Sequence, residues 1–103
     1  MAEAFTYKIT TESELFTFDF NPVLQVNEAI TSASSTVIVM NGVDPDPTAI
    51  LNGTPTWASG KVNQRISGGV SEVTYRIEVT ANTNQGNIYV CVGDLPIYAA
   101  NLV

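Results

Sequence analysis

From Glu72 to Thr80 the chain reads Glu-Val-Thr-Tyr-Arg-Ile-Glu-Val-Thr, polar and apolar residues alternating without a break. Successive side chains of an extended strand point to opposite faces, so a period of two gathers Val73, Tyr75, Ile77 and Val79 on one face. Glu72, Thr74, Arg76, Glu78 and Thr80 are left to water. A segment patterned this way specifies a half-buried strand, and its inward face requires a second layer to cover it.

Other runs follow the same rhythm. Leu15-Phe16-Thr17-Phe18-Asp19-Phe20 places Phe16, Phe18 and Phe20 on one side. Lys61 to Ile66 is weaker, with Val62 and Ile66 inward and Gln64 between them, which predicts a strand near an edge. Ile30 to Met40 ends in Thr36-Val37-Ile38-Val39-Met40, whose β-branched side chains suit a pleated surface. Asn87 to Val92 is apolar on both faces and reads as a central strand or one covered by a partner. Pro22 to Thr31 carries Val23, Val26 and Ile30 but is too short for more than one helical turn.

Turn residues punctuate these runs: Asn21-Pro22, Asn41-Gly42, Asp44-Pro45-Asp46-Pro47, Asn52-Gly53, Ser59-Gly60, Ser67-Gly68-Gly69 and Gln85-Gly86-Asn87. Short alternating strands between such turns predict an all-β chain, an antiparallel β-sandwich first and a small β-barrel second. In immunoglobulin-like sandwiches a Tyr early in the penultimate strand bonds back across the preceding corner. Tyr75 stands where that residue would, or is an ordinary buried Tyr. Trp57 reads as a core or half-buried anchor, with an exposed stacking platform as the other possibility.

Composition restricts the chemistry. The chain has 103 residues, Lys and Arg number 4 against 10 Asp and Glu, and the formal net charge is −6. A phosphate backbone or an anionic lipid surface would repel such a chain, so neither nucleic acid nor membrane is an expected partner. With 45% hydrophobic and 14% charged residues it can bury a core. There is no His and a single Cys. That removes the commonest general base, the commonest metal ligand and any internal disulfide. Cys91 lies inside an apolar run and reads as a small packing residue.

Ser and Thr have no evident activating base, which argues against a nucleophilic enzyme. Asp44 and Asp46 occupy a Pro-spaced turn where water would keep both ionised, and the pair falls far short of the six to eight oxygen ligands of a Ca²⁺ site. Gly68-Gly69 precedes neither a Lys nor a helix, so it is no phosphate cradle. The expectation is no catalytic residue, no metal and no cofactor. The opening Met-Ala-Glu-Ala-Phe-Thr-Tyr-Lys lacks the basic and apolar regions of a secretory signal, which predicts synthesis in the cytoplasm.

The ordered string also resembles a known family. Phe18-Asp19-Phe20-Asn21-Pro22-Val23-Leu24 with Asn27-Glu28-Ala29-Ile30-Thr31-Ser32-Ala33, then Ile66-Ser67-Gly68-Gly69, Thr74-Tyr75-Arg76-Ile77 and Thr80 to Gly86, is similar to small immunoglobulin-like phage and prophage virion proteins of the fibre–tail adaptor or neck-associated type. The resemblance spans roughly Leu15 to Leu95. It departs from the family pattern at Asn27, where Gly is usual, and in the neutral hairpin Asn82 to Asn87, which is usually more basic. It implies a non-enzymatic structural component of a tailed-phage virion, made in the bacterial host cytoplasm, a neck or tail adaptor in contact with other virion proteins and present as a homo-oligomer. Capsid decoration is the alternative within that class. A free-standing carbohydrate- or receptor-binding module, with Trp57 and Tyr89 as stacking platforms, is the alternative outside it.

The expected organisation is an N-terminal arm or edge strand over residues 1–14, a sandwich over 15–95 and a C-terminal arm over 96–103. Phe5 and Tyr7 in the first, and Ile97, Tyr98 and Leu102 in the last, are too apolar for idle tails. They are the candidate interface residues, docking on a neighbour by strand addition or closing the chain's own sheet.

Overall fold

The computed structural model describes the whole chain, Met1–Val103. Its strands are β1 (Ala2–Ala4), β2 (Lys8–Ile9), β3 (Ser13–Asp19), β4 (Ile30–Asn41), β5 (Thr56–Ala58), β6 (Lys61–Ser67), β7 (Thr74–Thr83) and β8 (Ile88–Tyr98). Short 3-10 turns occupy Pro47–Ile50 and Ala100–Leu102. One sheet runs β1-β8-β7-β4 with β2 also on β8, and the other runs β3-β6-β5. No strand is shared between them, so the architecture is a two-sheet sandwich rather than a barrel. The triplets β4-β7-β8 and β3-β6-β5 reproduce the two-sheet strand order of an immunoglobulin constant-type domain.

Alternation builds the core as the sequence requires. On β7 the inward residues Tyr75, Ile77, Val79 and Ala81 are fully buried. They face Phe16 and Phe18 of β3 and Val62 and Ile66 of β6 across the sandwich, within one hydrophobic cluster. Each aliphatic or aromatic side chain so buried contributes about 1.5–3 kcal/mol. Gln64, between Val62 and Ile66, is buried as well. Its amide donates to the Gly53 and Arg65 carbonyls and its oxygen accepts from the Ser35 hydroxyl, so this polar group is satisfied inside the sandwich.

Both ends of the chain contribute strands to the larger sheet. Pro96–Tyr98 is the last part of β8, and Ile97 is fully buried in the core rather than carried on an exposed arm. The sheet is not wholly antiparallel, because β1 and β2 both run parallel to β8. Pro96 is tolerated because β1 pairs with β8 only as far as Asp94 and β2 begins at Ile97. The residue without an N–H falls in the gap between them.

Phe5, in the break between β1 and β2, holds the N-terminal segment down. Its ring packs edge-on against Phe16 at 4.8 Å and Phe18 at 5.4 Å between centroids. It lies over Gly93, where any Cβ would overlap the ring. Phe5 thus closes the chain's own sandwich.

Candidate functional site: two apolar ends

The body measures 47 × 23 × 21 Å. Registers assign residues to its two ends. Asn82 opposite Ile88, and Ala58 opposite Lys61, mark one end. Thr74 opposite Pro96, and Ser13 opposite Ser67, mark the other.

At the first end Val26 is 85% exposed, Ile88 66% and Trp57 40%. A cleft of about 430 Å³ opens between the β3–β4 connection and the β5–β6 hairpin, lined by Leu24, Glu28, Ile30 and Trp57 among others. The indole therefore stands at the edge of a concavity, half out of the core.

Glu28 gives this end its rigidity. Its carboxylate accepts from the Gln25 N–H at 2.9 Å, the Thr83 hydroxyl and the Asn87 amide at 2.7 Å each, and the Tyr89 hydroxyl at 3.1 Å. Burial pushes the carboxyl up, but these donors outweigh it and bring its pKa down to about 2. Burial first, and then its bond to the Glu28 carboxylate, push Tyr89 upward. Around them Asn84 exchanges backbone and side-chain bonds with Ala29, and the Gln85 amide donates to the Val26 carbonyl. The loop presenting Val26 is thereby tied to the β7–β8 hairpin.

At the second end Val43 is 82% exposed, Leu102 50% and Tyr7 46%. Tyr7 packs edge-on against Tyr98 with ring centroids 5.9 Å apart. Beneath them Lys8 is fully buried, donating to the carbonyls of Gly68 at 2.6 Å and Ile9 at 2.7 Å. Burial lowers its pKa against the opposing pull of Glu12 and Glu14. Tyr75 completes the support: its hydroxyl accepts from the Val70 N–H at 2.9 Å and donates to Asp44 at 2.6 Å. It bonds back across the corner that precedes β7.

Of the residues singled out from sequence, Tyr7, Tyr98 and Leu102 come together at the second end. Phe5 and Ile97 serve the interior. Trp57 lies at the opposite end. Sequence reading missed Val26, Val43 and Ile88 as exposed apolar positions, since an isolated Val in a loop carries no pattern. Cys91 is fully buried, and burial pushes its thiol up to about 11.

The chain is thus an all-β sandwich with exposed apolar side chains and a satisfied polar network at each end. The sequence pattern of the podophage GP4 fiber-tail adaptor protein gp77 matches residues 8–91, and the chain belongs to this family of phage tail structural proteins. No curated protein matches it. Among solved structures, a 2,6-sialyltransferase of the Vibrionaceae bacterium Photobacterium sp. JT-ISH-224 is similar with a TM-score of 0.45 and 14% identity, over 96% of this chain and 18% of that one. The chain spans only that small part of the enzyme, and no property of the enzyme carries over.

Proposed function

We propose that the chain is a non-enzymatic adaptor that binds one virion protein through its Trp57 end and a second through its Tyr98 end, at the junction of fibre and tail. The observation that carries this reading is the exposure of Val26, Ile88 and Trp57 at one end and of Val43, Leu102 and Tyr7 at the other end of a 47 Å body. Exposed apolar residues grouped in this way mark contact surfaces. Binding energy comes from apolar area, with aromatic Trp57 and Tyr7 as the anchors most costly to truncate. The net charge of −6 keeps the free chain soluble and away from packaged nucleic acid.

The test is to assemble particles with one end altered at a time. Val26→Asp with Trp57→Asp, or Val43→Asp with Leu102→Asp, should each leave a folded chain that retains one neighbour and loses the other, so that tails lose their fibres. Particles that keep a full fibre complement with both pairs altered would overturn the reading.

A further inference from the structure

The Trp57 cleft holds a charge that the fold leaves without a counter-ion. Glu28 lines one wall, and its oxygens are occupied by the neutral donors of Gln25, Thr83, Asn87 and Tyr89. Those bonds fix the carboxylate and favour its ionised form without cancelling its charge. No cation reaches it, since the chain's single ion pair joins Arg76 of β7 to Asp94 of β8. Lys61 follows the cleft's Gly60, but it stands opposite Asp19 in the β3–β6 register, so those two charges offset each other. The cleft is left with the potential of one carboxylate.

The rest of the lining suits a cation. Trp57, 40% exposed, forms part of the facing wall, and the face of an indole attracts positive charge. At the rim, the Gln25 side chain and the Ser59 hydroxyl have no hydrogen-bond partner within the chain and offer two oxygens. The volume of about 430 Å³ lies in the range of pockets that enclose a small ligand. We propose that the cleft takes an arginine side chain from the virion protein that covers this end, its guanidinium against the Trp57 indole and its N–H groups turned to Gln25 and Ser59. An apolar side chain in its place would cover the carboxylate and both rim oxygens with no compensation. A guanidinium is preferred to an ammonium because it is flat, stacks on aromatic rings, sheds water more easily and carries five donors for separated acceptors. The source of the arginine rests on the adaptor reading, whereas the cleft's preference for a guanidinium does not.

The test is NMR of the full chain, labelled with nitrogen-15, with N-acetylarginine amide added as the probe. N-acetyllysine amide and N-acetylleucine amide serve as comparisons. The arginine probe should shift the Trp57 indole N–H and the Ser59 and Gly60 amides in a saturable way. One side chain binds weakly, so half-saturation is expected at about 1–10 mM. The leucine probe should bind at least about fivefold more weakly, and added NaCl should weaken the arginine probe several-fold. Trp57→Leu keeps an apolar wall without the aromatic face, and Glu28→Gln removes the charge; each should weaken binding at least about fivefold. If Glu28→Gln folds poorly, Trp57→Leu carries the test. Glu78→Gln, which removes a carboxylate from the middle of β7, should leave binding unchanged. No saturable shift with the arginine probe would overturn the proposal. So would tighter binding of the leucine or lysine probe, full affinity in folded Trp57→Leu, or an equal loss in Glu78→Gln. Each of these failures leaves the adaptor reading standing, because that reading is decided by fibre attachment to assembled particles.

Discussion

The Tyr75 hydroxyl donates to the Asp44 carboxylate at 2.6 Å, tying the start of β7 to the connection that leaves β4. The same oxygen accepts the Val70 N–H, so one atom closes two loops of the second apolar end. Tyr75→Phe leaves both partners unsatisfied while filling nearly the same volume. The expected loss is about 1–3 kcal/mol, read as a lower urea midpoint with an unchanged m value.

Alkaline stability carries the signature of the same residue. Burial, reinforced by Asp44, raises the phenol from 10.0 to about 12. A group raised in the folded state contributes stability that is complete below its unfolded pKa and lost as pH climbs through its folded one. Wild-type stability should therefore fall between pH 10.0 and about 12. Tyr75→Phe should flatten part of that decline, leaving the shares due to Cys91 and Tyr89, which are also raised. Parallel wild-type and variant curves would contradict this.

The acid side tests Glu28. Its carboxyl is lowered from 4.5 to about 2, so its contribution is present above 4.5 and lost as pH falls towards 2. Glu28→Gln should lower the urea midpoint at neutral pH and show a shallower decline over that acid interval. A residual slope belongs to Asp94, which is held low by Arg76. Equal slopes in the two proteins would show that the Thr83, Gln25, Asn87 and Tyr89 bonds do not favour the charged form.

The N-terminal segment is held by shape. Gly93→Ala drives a methyl into the Phe5 ring and should expose residues 1–10 to protease while the remaining sandwich resists. Overpacking of this kind costs about 1–3 kcal/mol. Because both changes act on one contact, Phe5→Ala in the Gly93→Ala background should add much less than it does alone. Full additivity would separate the two residues.

Trp57 reports on its own end. As the single Trp, at 40% exposure, it should emit at shorter wavelength once a virion partner covers it. Trp57→Ala should cost only about 1 kcal/mol of folding stability, because the indole is partly covered. It should nevertheless weaken partner binding by about 2 kcal/mol or more. A large stability loss would make the indole a core residue instead.

Much of this fold was legible in the order of residues because strand periodicity is a local property. Glu72 to Thr80 declares its inward face without any distant information, and Tyr75 could be placed at the corner on the Ser67-Gly68-Gly69 turn that precedes it. β1 and β2, with 3 and 2 residues, are too short to show a period. Their parallel pairing is set by Phe5 finding Phe16, Phe18 and the bare backbone of Gly93. Pro96 lies within β8 because the gap between β1 and β2 accommodates it. Glu28 gave no hint of its burial, since its side-chain partners Thr83, Asn87 and Tyr89 lie far along the chain. Tyr7, Tyr98 and Leu102 stand out in the sequence as apolar residues near the chain's ends, whereas single loop valines acquire meaning only when the fold sets them side by side.

Electron cryomicroscopy of the assembled particle tests the two-ended adaptor most directly. The expected map places each copy between two different virion proteins, with density against Val26 and Trp57 at one end and against Val43 and Leu102 at the other. A map with both ends free, or with the chain seated on the capsid surface through one flank, would contradict it.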